Sequence, residues 1–109
     1  MSGPGAAGAA PPGGGGDPSA MALRRTLRIT NARGLHARAA AKLVAVAERF
    51  SSSVTVTRDG ETVPANSIMG LMMLGAGVGS EITIEADGWD AKEALEAVAG
   101  LVEAGFHED

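Results

Sequence analysis

The fold of this 109-residue chain is decided around the stretch Asn31-Ala-Arg-Gly-Leu-His36-Ala-Arg38. Before it, apolar and polar residues alternate from Leu23 to Ile29, a pattern that is typical of a half-buried strand. After it, apolar residues recur at helical spacing and predict a helix from about residue 36 to residue 50. The stretch therefore turns at Gly34 from a strand into the first turn of a helix.

His36 occupies the predicted start of this helix. Unpaired backbone N–H groups and the positive end of the helix dipole make such a position attractive to anions. Because histidine titrates close to neutral pH, a large fraction of its rings is uncharged and nucleophilic there. Arg38, two residues further on, brings a fixed cation to the same place. These features predict a histidine that accepts a phosphoryl group.

Two other uses of a histidine compete with this interpretation. A lone histidine is more often a packing or solvated residue, and we interpret His107, near the end of the chain, as solvated. A metal site needs more ligands than the sequence around His36 offers, because no second histidine follows at i+3 or i+4 and the chain has no cysteine. We expect neither a metal nor a cofactor.

Composition excludes several classes of function. The chain has no cysteine, so it has no disulfide framework, and we expect it to be cytoplasmic. One tryptophan and two phenylalanines are too few for a base-stacking surface, and the net charge of −4 also argues against a nucleic-acid binder. No apolar run approaches the roughly 20 residues that a membrane-spanning helix needs. The glycine-rich run at residues 75–79 lacks the lysine of a phosphate-binding loop and is interpreted as an ordinary loop.

The charges are distributed unevenly along the chain. Residues 21–50 carry seven arginines and lysines against a single acid, Glu48. The remaining segments carry Arg58 and Lys92 against the other twelve acids. Such asymmetry steers encounters with an acidic partner surface, so the cluster around His36 is interpreted as a docking surface.

Residues 1–20 are almost entirely Gly, Ala, Pro and Ser. They cannot bury enough apolar surface to offset the entropy of ordering, and we expect a disordered tail. They lack the basic and apolar regions of a secretory signal. Residues 21–109 are therefore expected to form the one folded domain.

The other elements follow from local patterns. Alternating residues predict strands at 54–57, 61–65 and 82–86, with a two-residue hairpin turn at Asp59-Gly60. Pro64 places the second of these strands at a sheet edge. Asp90 is expected to begin a final helix, with Glu93 three residues later as in a capping box, and Phe106 on its buried stripe. The order β-α-β-β-α-β-α predicts an α+β fold with one sheet face covered and the other in water.

Residues 67–74 predict a short helix that is apolar on all sides. Ser67 is a plausible N-cap, and Leu71 and Leu74 are expected to reach the core. Methionines suit surfaces that meet several partners, so some of the helix is expected to lie under a partner protein. Phosphorylation of Ser67 would add negative charge beside this apolar surface. The expected docking residues are Ile68, Met69, Leu71 and Met72.

The motif Gly34-Leu35-His36-Ala37-Arg38, followed about thirty residues later by Asn66-Ser67-Ile68-Met69-Gly70-Leu71, resembles HPr, the histidine-containing phosphocarrier family of the phosphoenolpyruvate-dependent phosphotransferase system. The resemblance covers roughly residues 22–106. It implies an open-faced β-sandwich, a four-stranded antiparallel sheet covered on one face by three helices. The expected protein is a monomer that binds neither nucleic acid nor membrane.

The resemblance also implies roles for individual residues. His36 is expected to take a phosphoryl group on Nδ1 from phosphorylated enzyme I and to pass it to an enzyme IIA component, with Arg38 assisting. Ser67 matches the serine that HPr kinase/phosphorylase modifies in some bacteria. The protein would then be a carrier regenerated in each cycle and not an enzyme.

One position departs from the family pattern. Many members carry proline directly after the motif's arginine, where this chain has Ala39, which suits a first helical turn and retains its N–H. The alanine-rich run at residues 39–42 resembles the nitrogen-related regulatory branch more than the sugar-uptake branch. The alternative function is a non-catalytic regulatory module that binds partners through the methionine helix, with His36 structural.

Overall fold

A computed structural model describes residues 22–108 of the chain. The expected disordered tail at residues 1–20 lies outside the described residues. The elements are β1 (Ala22–Arg28), α1 (Ala37–Ala47), β2 (Ser53–Arg58), β3 (Glu61–Pro64), α2 (Ile68–Met73), β4 (Glu81–Asp87) and α3 (Ala91–Glu103), followed by a 3₁₀ turn (Gly105–His107). The predicted order of four strands and three helices is confirmed.

The four strands form one antiparallel sheet in the order β1-β4-β2-β3. β3 lies at an edge, as Pro64 predicts, because proline cannot donate to a further strand. The hairpin between β2 and β3 turns at Asp59 and Gly60, which have φ angles of 50° and 82°. Two consecutive positive φ values fit the predicted two-residue turn.

The two faces of the sheet differ in chemistry. One face is polar and carries cross-strand pairs such as Arg24 with Glu85 at 3.3 Å and Thr26 with Thr83 at 3.0 Å. The other face is apolar and packs under the helices, giving the predicted open-faced β-sandwich. The largest fully buried side chains are Phe106, Ile29, Leu43, Leu71, Ile82, Ile84, Val56, Val98 and Val102. Every helix and strands β2 and β4 contribute buried side chains, so the core holds the site's elements together.

Two helix boundaries differ from the predictions. α1 ends at Ala47, and Phe50 lies beyond it, half-buried against the core. The N–H groups of Arg49 and Phe50 donate to carbonyl oxygens three positions back, so the chain continues after α1 in tight turns. These turns keep the helical spacing of apolar residues, which is why the pattern predicts a longer helix. Phe106 is buried as predicted, but it lies after α3 in the 3₁₀ turn with a φ of 56°.

The capping-box interpretation of Asp90 is wrong. Asp90 precedes α3, but its carboxylate makes no bond to the helix. It accepts instead from the backbone N–H groups of Ser51 and Ser52, at 2.8 and 2.9 Å, and from the Ser52 hydroxyl. Asp90 therefore joins the start of α3 to the loop before β2, a contact between segments 38 or more residues apart.

No helix within residues 22–108 is both long and apolar enough to cross a membrane.

Candidate functional site

His36 is the residue that caps the N-terminus of α1. Its backbone is extended, with φ −78° and ψ 179°, and its side chain makes no capping hydrogen bond. The first intrahelical bond runs from the Ala40 N–H to the His36 carbonyl oxygen, at 2.8 Å. The N–H groups of residues 37–39 therefore have no partner within the helix and face its N-terminal end. The imidazole ring is not used as a cap, and 24% of the His36 side chain is exposed.

The loop before His36 is held against the glycine-rich loop that precedes β4. Gly34 has a φ of 65° and donates its N–H to Asn31 O at 3.1 Å, and Leu35 donates its N–H to Ala76 O at 2.8 Å. A Cβ at Gly34 would meet the Ala76 carbonyl oxygen and lie 2.7 Å from Gly77 Cα. Glycine is therefore required both by the backbone conformation and by the close approach of the second loop. The loop at 75–79 is the ordinary loop that its sequence predicts, and it supports the histidine.

His36 and Arg38 line the same open cavity, which has a volume of about 340 Å³. Its lining residues are Arg33, His36, Arg38, Ala39, Lys42, Phe106, His107 and Glu108. Lys42 reaches across it and donates from Nζ to Phe106 O at 2.7 Å, which ties α1 to the 3₁₀ turn. Arg38 is exposed, and within residues 22–108 no carboxylate forms an ion pair with it. Three permanent cations around one carboxylate make this cavity favourable for an anion.

Glu108 closes one side of the cavity. Its Oε1 lies 3.5 Å from His36 Nε2 and accepts from Asn31 Nδ2 at 2.7 Å. The hydrogen bond from the Asn31 side chain lowers the pKa of Glu108, whereas partial burial raises it. The Arg33 backbone N–H and the charge of His36 also lower this pKa. The carboxylate is therefore held ionised next to the imidazole ring.

Asn31 is buried, with 6% of its surface exposed. Its Nδ2 donates both to Glu108 and to Gly34 O, at 2.8 Å for the second bond. In the described part of the chain, Asn31 Oδ1 is the buried side-chain polar atom that is left without a partner. Leaving such an atom unpaired lowers the free energy of unfolding by about 1–3 kcal/mol. The two acceptors of Nδ2 therefore determine the orientation of the amide, and Oδ1 is left unpaired.

Neither Asn31 nor Glu108 has a role in the sequence-based prediction. Asn31 lies in the quoted stretch, but a single asparagine before a glycine indicates only a turn. Glu108 follows the last helix and belongs to no motif. His107 is exposed, as expected of a solvated residue, yet it also lines the cavity beside His36. Local patterns do not reveal these contacts, because they join residues about 70 or more positions apart.

Ser67 caps α2, as its sequence position predicts. Its Oγ accepts from the Gly70 N–H at 2.9 Å. The exposed side chains around it are Ile68, Met69, Met72 and Met73, and Met69 and Met73 have 69% and 76% of their surface in contact with solvent. Leu71 is fully buried, at 0% exposure, because it faces the core from the one buried position of α2. The expectation that Leu71 belongs to a docking surface is therefore wrong, because its side chain is not accessible to a partner.

No group of three or more potential metal-ligating side chains gathers anywhere between residues 22 and 108.

Comparison with known proteins agrees with this geometry. The family model described as the PTS HPr component phosphorylation site matches residues 23–104. The chain is 50% identical over 86 residues to the phosphocarrier protein HPr of Cupriavidus necator, a match that covers 79% of this chain and 97% of that protein. The crystal structure of HPr-C-His from Thermoanaerobacter tengcongensis has a TM-score of 0.76 and 42% identity, covering 80% of this chain and 98% of that chain.

The fold, the histidine at the start of the first helix and these similarities lead to one conclusion: this chain belongs to the HPr family of phosphocarrier proteins of the phosphotransferase system. It is a carrier of phosphoryl groups rather than an enzyme. The chain is also 43% identical over 86 residues to the phosphocarrier protein NPr of Shewanella violacea, covering 79% of this chain and 94% of that protein. Both HPr and NPr proteins are therefore among its relatives.

Proposed function

We propose that His36 accepts a phosphoryl group on Nδ1 from phosphorylated enzyme I and passes it to an enzyme IIA component. The observation that carries this proposal is the position of the ring. It is partly exposed, makes no capping bond and shares an open cavity with Arg38 at the N-terminus of α1. Family membership supports the general role, and the ring's position supports the choice of residue.

The chemistry of transfer follows from these groups. A ring nitrogen bonds to phosphorus while the bond from phosphorus to the donor residue of enzyme I breaks, and the electron pair of that bond returns to the donor. The transferred group carries negative charge, which the N–H groups of residues 37–39 and the Arg38 guanidinium would stabilise. Transfer to the acceptor reverses the same steps at the same histidine.

Partner proteins would dock on the exposed part of α2 and on the cations around the cavity. Ile68, Met69 and Met72 supply exposed apolar surface, and Arg33 and Arg38 supply positive charge. An acidic partner with an apolar groove fits both. Where HPr kinase/phosphorylase is present, Ser67 would be its site, since its hydroxyl lies at the start of the docking helix.

Phosphate labelling tests the assignment of His36. The chain has two histidines, both of which line the cavity, so each can be replaced in turn and compared. Incubation with phosphoenolpyruvate and enzyme I should add one acid-labile, base-stable phosphate per chain. His36→Ala should abolish labelling, whereas the matched control His107→Ala should be labelled like the unmodified protein. Labelling of His36→Ala at another residue would overturn the assignment.

The exposed methionines favour a second candidate, a regulatory module that binds partners through α2 with His36 structural. The same variant separates the two functions. A binding module would keep its partner interactions and its activity in His36→Ala, whereas a carrier would keep docking and lose transfer.

A further inference from the structure

We propose that Glu108 is a positioning residue that keeps the proton of His36 on Nε2 and so leaves Nδ1 as the atom that receives the phosphoryl group. This inference rests on the proposed function and deepens it. It gives a structural reason for transfer at Nδ1, the ring nitrogen that the proposed function takes from the family resemblance.

Within residues 22–108, the ion-pair contact to the His36 ring lies at Nε2. Glu108 Oε1 faces His36 Nε2 at 3.5 Å, an ion-pair distance, and both side chains are mostly screened, with 18% and 24% exposed. Hydrogen bonds at reaction sites are often long in the free protein and shorten when the partner binds. A carboxylate can only accept, so it selects the ring form that carries its proton on the facing nitrogen.

Asn31 fixes the position of this carboxylate. Its Nδ2 holds Glu108 Oε1 at 2.7 Å and the Gly34 carbonyl oxygen at 2.8 Å. Gly34 lies two residues before His36, so the same amide group ties the carboxylate to the loop that carries the ring. Asn31 Oδ1 has no partner, so the two bonds made by Nδ2 determine the orientation of the amide.

The groups around Glu108 keep it in its accepting form. The hydrogen bond from Asn31 holds the pKa of Glu108 below its usual range, and the charges of His36 and Arg33 act in the same direction. The cations Arg33, Arg38 and Lys42 line the same cavity. None of the other described cavity residues carries a negative charge. An ionised carboxylate therefore faces the ring throughout the neutral pH range.

The contact has consequences for both halves of the transfer. When the Nδ1 lone pair bonds to phosphorus, Nε2 keeps its proton and the ring acquires positive charge, which the Glu108 carboxylate stabilises. The protonated ring is also the better leaving group, because it departs as neutral imidazole when phosphorus bonds to the acceptor. Glu108 would therefore favour uptake at Nδ1 and keep the phosphohistidine reactive.

The test is Glu108→Gln, which removes the charge while keeping the shape and an oxygen that can accept from Asn31. We expect ¹⁵N NMR of the free protein to show less of the form protonated at Nε2. We expect transfer from enzyme I to slow by about 1.5-fold to fivefold, the range for a partly exposed charge pair. The pH profile of phosphohistidine hydrolysis should move to lower pH, because a ring without the carboxylate gives up its proton more readily.

Two further variants complete the experiment. Glu108→Asp retains the charge and should restore part of the rate, and Glu96→Gln, an exposed acid on α3, should leave all three readouts unchanged. Equal ring forms, rates and pH profiles in Glu108→Gln and the unmodified protein would overturn the inference. If the unmodified protein is not labelled at His36 at all, the proposed function fails instead.

Discussion

Leu35 donates its backbone N–H to the carbonyl oxygen of Ala76 at 2.8 Å, and this bond joins the residue before His36 to the loop before β4. The two segments are far apart in the chain, and neither is a helix or a strand. The position of the His36 ring therefore depends on the close contact of two loops, which glycine at position 34 permits.

Gly34→Ala should destabilise the fold and displace His36. The added Cβ would be placed at a φ of 65° and would meet backbone atoms of residues 76 and 77. We expect a loss of about 2 kcal/mol or more in the free energy of unfolding, measured in urea, together with slower transfer. Gly75→Ala is the matched control, since Gly75 has the same φ of 65° and its Cβ would come no closer than 3.8 Å to Arg58. Equal losses in the two variants would contradict a role for the close approach.

Arg38→Ala should slow phosphoryl transfer without unfolding the protein. Arg38 is exposed and lines the cavity of His36, so it contributes charge to the site and little to the core. A lost charge-assisted hydrogen bond to the phosphoryl group predicts a decrease of about tenfold or more in kcat/KM, measured by stopped-flow transfer from enzyme I. Arg49→Ala, which removes an exposed cation beyond the other end of α1, should transfer normally. Unchanged kinetics in Arg38→Ala would remove this residue from the mechanism.

Ser67→Asp should weaken binding to enzyme I, because the new charge lies beside the exposed methionines of α2. Aspartate is as good an N-cap as serine, so the helix should persist. Ser67→Asn separates charge from shape, since asparagine also caps but is neutral. Calorimetric titration with enzyme I should give a larger Kd for Ser67→Asp than for Ser67→Asn. The same Kd in both would count against regulation by charge at this position.

Asp90 should make the stability of the fold depend on pH. Its hydrogen bonds from Ser52 and Ser51 lower the pKa of Asp90 in the folded protein. A lowered folded pKa stabilises the protein above the unfolded pKa, about pH 4, and this stabilisation is lost as the pH falls through the folded pKa. Asp90→Asn should therefore be less stable at pH 7 and should lose less stability on acidification, as measured by urea unfolding at several pH values. Asp59→Asn, at the exposed hairpin turn, should retain the acid sensitivity of the unmodified protein.

The sequence predicts the parts of this fold that depend on neighbouring residues. The Asp59-Gly60 turn, the Ser67 cap and the edge position of β3 are confirmed, because each depends on the local chemistry of one or two residues. The place of His36 at the start of α1 follows in the same way from Gly34 and the helical pattern after it. Local chemistry is sufficient where the partner lies within a few positions.

The contacts between distant segments are the ones that sequence patterns do not predict. Asp90 bonds to the loop before β2 instead of its own helix, although its spacing to Glu93 is correct for a capping box. Glu108 reaches Asn31 across 77 positions of the chain. In both cases the side chain bonds to a residue that is distant in sequence and that only folding brings close to it.

Helix α2 gives one residue, Leu71, to the interior and presents its methionines to solvent. Substitutions at the exposed methionines would change the surface of α2 while leaving the packed leucine intact. A docking surface built in this way, as we propose, can change in sequence with little penalty in folding.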